Sequence, residues 1–564
     1  MRLCLTYFIV PLVSFIAFSF YLEYGGLHLS PPPPPKLPAS SEELWALIDA
    51  EPATDVYNHR PAEGPVLRGL SLRFFAALTR VPLLGRIISE KLMADNGFAE
   101  LSLFSGRIPH RQPLFHPYVR PTEEQTMRHT RVAARVGQHQ QEGVVPAWVT
   151  NSRIADLAHA YRNGSLNPVR HIQTVLDNIA SETHNESLRA FVDVDRDGAL
   201  ACARLSNQRI QNRMSFGILD GIPVGVKTEV NVEGLPNDFG SRMRAGSRAT
   251  EDARIVTRLR AAGACIIGVT NMVEFGAATA GFNSLYGSSL NAFNPAYLTG
   301  GSSGGSASAV ASGLVPLAIG ADGGGSCRIP AALSGLVSLK QSWGRLDSPR
   351  DHEFAWTVAH ICPMVVTVDD ARIAYEWLAP RDGDSVDARY PFPPAHSIEY
   401  APSLQGTRVC VDDQWNGDSS GDQQAAVKEV EARLRAAGAK VSTIKIPFLR
   451  ETFLAHVVTI ASEMLSGVTP YGANLTMSDH DVQITLRTMS TLSAATYVNA
   501  QIARHYLTNV VWAGVWNRCE ILLSPATGSV ATAAIPEPDG EINLQNTADR
   551  MRFSFPANLL GYPA

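Results

Sequence analysis

From about residue 150 onward, the sequence alternates between helix-like and strand-like segments. The helical spacing of apolar residues occupies 153–162, 168–180 and 251–263, and the strand-like apolar runs occupy 222–230 and 264–270. A strand, a crossover helix and a second strand in this order imply parallel pairing within a sheet that helices cover on both faces. The pattern therefore predicts an α/β fold for the larger part of the chain.

Composition and charge limit the classes of function. The chain has 564 residues and a formal net charge of −5, so it lacks the basic excess that wholesale nucleic-acid binding requires. Its 18% of charged residues lies below the roughly 25% of an average soluble domain. This low fraction of charged residues excludes a disordered chain and is compatible with extensive buried or membrane-facing surface. The seven cysteines include no CxxC pair, so we expect neither a disulfide scaffold nor a cysteine zinc site.

The N-terminus differs from the rest of the chain. Residues 3–22 are almost continuously apolar and are long enough to cross a bilayer as a helix. One arginine precedes this run and the next cation is Lys36, which favours a cytoplasmic N-terminus with the body on the far side. A cleaved signal peptide, with small residues at Ala17 and Ser19, is the alternative. We therefore assign residues 1–24 to a transmembrane anchor or a signal sequence.

Two further regions precede the α/β segment. Five consecutive prolines at 31–35 are typical of a stiff polyproline II spacer, so 25–66 is predicted to be a proline-rich linker. Residues 69–92 contain two short amphipathic helices separated at Pro82. These helices either form a hairpin that packs on the core or lie on a membrane surface. The range 67–149 is accordingly predicted to be a helical extension that resembles a membrane cap.

Three segments carry the candidate chemistry. Lys227 ends an apolar strand, where burial disfavours its charged form. TGGSSGGSAS, residues 299–308, leads into a helix of small residues, and GADGGGSCRIPA, residues 320–331, is a glycine-dense turn between a strand and a helix. A serine at such a turn has an exposed hydroxyl, and neighbouring backbone N–H groups can converge on an oxyanion. Each segment alone has an ordinary structural explanation, but the three in this order are a specific signal.

The three segments resemble the motifs of the amidase signature family of serine hydrolases, over about residues 150–564. This resemblance implies a large, twisted, mixed β-sheet that helices cover on both faces, with no metal and no cofactor. It also implies a Ser–Ser–Lys triad in which Ser326 is the nucleophile, Ser302, on a cis peptide, relays the proton, and Lys227 is the base. The remaining implied residues are the oxyanion-hole residues Gly323, Gly324, Gly325 and Ser326, and the loop-bracing residues Ser303, Asp322 and Arg328.

A second resemblance concerns the N-terminal region. GLSLRFFAALTRVPLLGRIISEKLMADNG and PLFHPYVRP are similar to segments of the plant-type fatty acid amide hydrolases. This implies hydrolysis of carboxylic acid amides, in particular fatty acid amides such as N-acylethanolamines, to a free fatty acid and an amine. The expected partners are a small-molecule lipid amide and a membrane, without nucleic acid, and a homodimer is left open. The expected location is a membrane, either the endoplasmic reticulum or another endomembrane.

Two alternative functions stay open. A glutamine amidase that resembles the amide-cleaving component of the tRNA-dependent amidotransferases shares the triad and acts within a complex. A catalytically inactive relative is the second alternative, because the chain stops at FPANLLGYPA where relatives continue. The domain at 150–564 is therefore expected to be truncated at its C-terminus.

Overall fold

The computed structural model describes residues 36–50, 58–115, 117, 153–181, 188–346, 354–379, 404–471, 475–534 and 541–564. The anchor or signal sequence predicted for residues 1–24 lies outside them. No helix in this part of the chain is both long enough and apolar enough to span a bilayer.

Regular structure occupies most of these residues. The strands are β1 (Leu67–Arg68), β2 (Phe191–Val194), β3 (Pro223–Lys227), β4 (Cys265–Thr270), β5 (Leu290–Asn291), β6 (Asn294–Leu298), β7 (Leu317–Asp322), β8 (Val337–Ser338), β9 (His360–Val365), β10 (Arg408–Val411), β11 (Lys440–Thr443), β12 (Ile521–Leu523) and β13 (Glu541–Ile542). The helices are α1 (Ser41–Ala50), α2 (Gly69–Thr79), α3 (Pro82–Asp95), α4 (Phe98–Arg107), α5 (Arg153–Arg162), α6 (Pro168–Ala180), α7 (Arg196–Gln211), α8 (Arg254–Ala261), α9 (Gly304–Ala311), α10 (Arg328–Leu333), α11 (Val368–Leu378), α12 (Asp413–Gly417), α13 (Gly421–Ala436), α14 (Leu449–Val468), α15 (His480–Met489), α16 (Ala494–Tyr506), α17 (Ala513–Arg518), α18 (Leu544–Met551) and α19 (Phe555–Leu560).

A six-stranded mixed sheet forms the centre of the α/β region, in the order β2-β4-β3-β7-β9-β8. Strand β3 pairs in parallel with both β4 and β7, whereas β2 and β9 run antiparallel to their partners β4 and β7. The parallel pair β3–β4 is connected through α8, as the alternating pattern predicted. A smaller parallel sheet has the order β11-β10-β12.

Helices cover both faces of the large sheet because successive strand residues point to opposite sides. Leu317 and Ile319 of β7 share a core cluster with residues of α5, α8 and α11. Ala318, between them, belongs to a second cluster with residues of α6, α7 and α9. This confirms the α/β architecture predicted from the sequence. It also places the ends of β3 and β7, two parallel neighbours, at the same edge of the sheet.

Two helical parts of the N-terminal extension, the α2–α3 hairpin and α1, pack against the rest of the protein. Helices α2 and α3 form a hairpin, in which Leu72 and Ala76 are buried with Ile484 of α15. Helix α1 lies within the range 25–66 that the sequence predicted to be a linker, so this part of the range is not a spacer. The reason is that Trp45 packs into a core cluster and donates a hydrogen bond from Nε1 to the carbonyl of Val511.

Two disulfides link elements that are distant along the chain. Cys202 of α7 pairs with Cys265 of β4, and Cys410 of β10 pairs with Cys519. The partners lie 63 and 109 residues apart, and the cysteine spacing had predicted no disulfide framework. Spacing carries no such signal when the fold, rather than a local motif, brings the two thiols together.

Candidate active site

The end of β3 places Lys227 inside the protein, beside the segment that carries Ser302. Lys227 is 1% exposed, and its Nζ lies 2.8 Å from Ser302 Oγ and 3.4 Å from the carbonyl oxygen of Ala321 on β7. Ser302 is equally buried. The peptide bond between Gly301 and Ser302 is cis, as the family resemblance implied. A lysine and a serine hydroxyl at this distance can exchange a proton directly.

Ser326 lies on the turn that connects β7 to α10. Its carbonyl oxygen accepts a hydrogen bond from the N–H of Ser303 at 3.0 Å, which ties this turn to the Ser302 segment. Gly325 has a φ of 127°, a conformation that favours glycine. A side chain there would also collide with Ser554 and Ile329. The glycine-dense sequence is therefore required by the backbone that presents Ser326.

Backbone N–H groups of the same turn are available to a ligand. Those of Gly323, Gly324 and Ser326 have no acceptor within the described residues. The N–H of Gly325, which was expected to belong to the oxyanion hole, instead donates to Asp322 Oδ1 at 2.7 Å. That expectation is corrected, because Asp322 already uses this donor. The three remaining N–H groups can stabilise developing negative charge beside Ser326.

Two carbonyl groups of the turn accept hydrogen bonds from side chains outside it. His456 Nε2 donates to the carbonyl of Gly323 at 2.7 Å, and Ser554 Oγ donates to that of Gly324 at 2.6 Å. The C=O and N–H of one trans peptide point in opposite directions, so the anchored carbonyl of Gly323 turns the N–H of Gly324 away from His456. Burial lowers the pKa of His456 to about 4. The ring is therefore neutral near pH 7, and Nε2 carries the proton that it donates.

Asp322 braces the start of the turn. Its carboxylate is fully buried and accepts hydrogen bonds from the N–H groups of Gly325 and Cys327, and from Asn558 Nδ2 at 2.9 Å. Arg328 pairs with it through contacts of 3.0 and 2.9 Å. Burial opposes ionisation, but the Arg328 charge and these hydrogen bonds outweigh it and hold the pKa of Asp322 well below its usual range. Asp322 and Arg328 thus occupy the bracing positions that the resemblance implied.

One group of side chains in the described part of the chain has the spacing of metal ligands. It consists of Asp322, Cys327 and Cys362. The Asp322 carboxylate is already neutralised by Arg328 and takes hydrogen bonds on both oxygens. A cation at this point would have to displace that pair, so the group does not fit a metal site.

Glu229 is a neighbour of Lys227 that the sequence reasoning missed. Its Oε1 lies 3.0 Å from Lys227 Nζ, and both side chains are largely buried. Glu229 lies in the turn that directly follows β3, two residues after Lys227, and this proximity in the sequence is the signal that could have identified it. Glu229 is therefore a direct contact of the candidate base within the site.

Ser326 also lines a cavity of about 460 Å³, within the size range of small-molecule sites. The wall is mainly apolar, and α3, α14 and α15 supply much of it. The larger apolar side chains of these helices that line it are Leu92, Met93, Phe453, Val457, Ile460, Met464, Leu486 and Met489. The cavity thus joins the turn that carries Ser326 to the helical hairpin of the N-terminal extension.

Comparison with known proteins matches residues 171–564 to the family model described as Amidase. The chain belongs to the amidase signature family. A fatty acid amide hydrolase of Arabidopsis thaliana is 31% identical to this amidase, over 91% of this chain and 88% of the relative. A component of the glutamyl-tRNA(Gln) amidotransferase of Chloroflexus aurantiacus is 35% identical, over 49% of this chain and 57% of the relative.

The fold comparison agrees with the family. A solved bacterial aryl acylamidase, 22% identical, has a TM-score of 0.65 with this amidase, covering 73% of this chain and 88% of that one. Family membership makes the protein an amide hydrolase, which confirms the enzyme class that the motifs predicted. The similarity to plant fatty acid amide hydrolases is confirmed as well.

Proposed function

We propose that this amidase hydrolyses fatty acid amides, such as N-acylethanolamines, to a free fatty acid and an amine. The observation that carries the substrate class is the mainly apolar cavity that Ser326 lines. Binding pockets of this kind gain affinity by burying apolar ligand surface. Identity to a fatty acid amide hydrolase over most of both chains supports the same class of substrate.

In the proposed mechanism, Ser326 attacks the amide carbonyl and its proton passes through Ser302 to neutral Lys227. The 2.8 Å contact between Lys227 and Ser302 supports this relay. The N–H groups of Gly323, Gly324 and Ser326 stabilise the tetrahedral oxyanion. The C–N bond then breaks, and the departing amine takes the proton back from Ser302. Water cleaves the acyl ester by the same relay and releases the fatty acid.

A glutamine amidase within an amidotransferase complex is the second candidate. It is favoured by the 35% identity to a component of such a complex, although the match covers only 49% of this chain. A glutamine side chain is short and polar, and it would leave most of the apolar cavity unfilled. Hydrolysis by the isolated chain decides between the two candidates: a long-chain acylethanolamide should be cleaved far faster than glutamine.

We expect kcat/KM to rise with acyl chain length until the cavity is full. Each methylene transferred from water contributes up to roughly 0.8 kcal/mol, or about a fourfold gain in kcat/KM. The measurement is kcat/KM for acylethanolamides of increasing length, beside acetamide. Met489→Trp narrows the cavity and should lower kcat/KM only for the longer acylethanolamides. Met477→Trp, at an exposed residue away from the cavity, should leave kcat/KM unchanged for the whole series. A flat series would contradict the lipid assignment.

The proposed relay predicts how activity depends on pH. Activity is expected to rise from neutral towards alkaline pH, because Lys227 must be neutral to act as the base. The measurement is kcat/KM of the purified enzyme as a function of pH. A profile that peaks in the acid range would contradict the role of Lys227.

We also infer that the α2–α3 hairpin rests on a membrane surface. Leu70, Phe74 and Leu83 are 81%, 56% and 74% exposed on it, and α3 also contributes to the cavity wall. A lipid amide could therefore reach Ser326 from the bilayer without crossing water. The endomembrane location and the division of the chain into four regions stay predictions.

Liposome flotation of a chain that lacks residues 1–30 tests this inference. The shortened protein should float with liposomes, and replacing Leu70, Phe74 and Leu83 by serine should abolish flotation while turnover of a short soluble amide is kept. The control replaces Leu205, Met214 and Phe216, which are 54%, 62% and 53% exposed elsewhere on the protein. If both triple variants lose flotation, or if both keep it, the inference that the α2–α3 hairpin is the membrane-contacting surface is wrong.

A further inference from the structure

A turn at the end of α5 carries an exposed asparagine within a tripeptide of the pattern Asn-X-Ser. Asn163 directly follows the last residue of α5, and Gly164 and Ser165 complete the tripeptide. All three residues are exposed. A tripeptide of this pattern, in which X is not proline, is the acceptor sequence for N-linked glycosylation. The tripeptides at Asn185 and Asn474 have the same or the equivalent threonine pattern but lie outside the described residues.

The amide nitrogen of Asn163 is available for modification. Oδ1 accepts a hydrogen bond from the N–H of Ser165 at 2.9 Å, so the side chain closes a short turn over its own tripeptide. Nδ2 donates no hydrogen bond to any of the residues that the structure describes. Gly164 has a φ of 76°, which glycine adopts without strain. The nitrogen to which a sugar would be attached therefore belongs to an exposed residue and is not engaged elsewhere.

Helix termination accounts for part of this turn. Asparagine and glycine are common directly after the last turn of a helix, and Ser165 Oγ donates to the carbonyl of Ala160 at 3.3 Å. These contacts explain the local sequence without any modification. The assignment of a modification therefore needs an independent observation, which the two disulfides provide.

The disulfides indicate the compartment in which the chain folds. Cys202–Cys265 joins α7 to β4, and Cys410–Cys519 joins β10 to the residue that follows α17. In both pairs the Cα atoms lie 5.6 Å apart, the usual separation of bonded cysteines. Structural disulfides persist in secreted proteins and in the lumen of the endoplasmic reticulum, whereas the cytosol keeps thiols reduced. The same lumen is where N-linked sugars are added to exposed asparagines.

We propose that this amidase folds in the lumen of the secretory pathway and carries an N-linked oligosaccharide on Asn163. Asn163 Nδ2 forms a bond to C1 of the first sugar and loses one proton, while the bond between C1 and the lipid diphosphate that carried the oligosaccharide breaks. An oligosaccharyltransferase supplies this lipid-linked donor. Each disulfide forms when two thiols lose two electrons and two protons to the disulfide of an oxidoreductase. The proposed function is independent of this inference, because neither Asn163 nor the bonded cysteines line the cavity.

The experiment expresses the full chain in insect cells and analyses the purified protein by mass spectrometry. The peptide that contains Asn163 should carry an oligosaccharide that a peptide N-glycosidase removes. Asn163→Gln and Ser165→Ala should each abolish this mass, whereas Ser165→Thr, which keeps a hydroxyl group in the tripeptide, should retain it. Asn163→Gln should leave kcat/KM at the wild-type value, because the residue lies outside the cavity.

A matched site tests the compartment independently of Asn163. Asn212 is exposed and directly follows α7, but Met214 occupies the position where the pattern requires serine or threonine. Met214→Thr completes the pattern at an exposed residue. If the chain is lumenal, this variant should gain an oligosaccharide on Asn212, which the wild type should lack.

Alkylation of the denatured protein before reduction gives a second measurement. The four bonded cysteines should be protected, whereas Cys327 and Cys362, which are free in the structure, should react. If other asparagines carry oligosaccharide but Asn163 does not, the assignment of Asn163 is wrong. If neither the wild type nor the Met214→Thr protein is glycosylated, or if the four cysteines are alkylated, the lumenal location is wrong. Hydrolysis of fatty acid amides, measured separately, decides the proposed function in either case.

Discussion

Replacing Ser326 with alanine is expected to abolish amide hydrolysis, and Ser302→Ala and Lys227→Ala should each lower kcat/KM by several orders of magnitude. The reason is that the three residues form one path for one proton, so loss of any member removes the activated nucleophile. The losses in kcat/KM should be far from additive. A double variant should have a kcat/KM only slightly below that of the less active of its two single variants. Steady-state kinetics of the purified variants on a long-chain acylethanolamide measure these effects.

The controls for this series are Ser312→Ala and Lys440→Ala. Ser312 directly follows the last residue of α9, and Lys440 is exposed on β11. Both variants should retain wild-type kinetics. Near-normal turnover by the Lys227→Ala protein would show that another group acts as the base.

Asp322→Ala is expected to have the second largest effect, on stability as well as on activity. The substitution leaves Arg328 as a buried charge without its carboxylate and releases the N–H groups of Gly325 and Cys327. Breaking a buried ion pair in this way costs about 3–5 kcal/mol in the free energy of unfolding. The turn that presents Ser326 should lose its fixed geometry, so kcat should fall strongly even where the variant is still folded.

Denaturant titration and kinetics together test this prediction. Asp177→Ala is the control, because Asp177 forms an exposed ion pair with Arg196 whose loss should leave the denaturation midpoint close to that of the wild type. If the Asp322→Ala protein has the same denaturation midpoint as the wild type, Asp322 does not brace the turn. If the variant is destabilised but its folded fraction keeps the wild-type kcat, the bracing role is contradicted as well.

Local periodicity was sufficient to predict three of the helices around the sheet, α5, α6 and α8. Helices α5 and α6 have the bounds 153–162 and 168–180 that their apolar spacing predicted. The strand predicted over 222–230 ends earlier, at Lys227, because the N–H of Val230 turns back to the carbonyl of Lys227. Val230 is nevertheless fully buried. An apolar run therefore continues past the strand end, and hydropathy alone does not reveal the turn.

The reacting residues could be predicted because each lies in a short motif, whereas their support could not. His456, Ser554 and Asn558 contact the turn from 133 to 236 residues away in the sequence. None of them lies in a recognisable pattern, and only the packing of α14 and α19 brings them to the turn. The cavity wall has the same origin, since its side chains come from helices that are far apart along the chain.

Trapping of the acyl-enzyme tests the central claim most directly. The purified enzyme is mixed with a long-chain acylethanolamide, quenched in acid during turnover, digested and analysed by mass spectrometry. We predict that the acyl group is found on the peptide that contains Ser326, and that the Ser326→Ala protein carries none. An acyl group attached to any other residue, while hydrolysis proceeds, would contradict the assignment of Ser326 as the nucleophile.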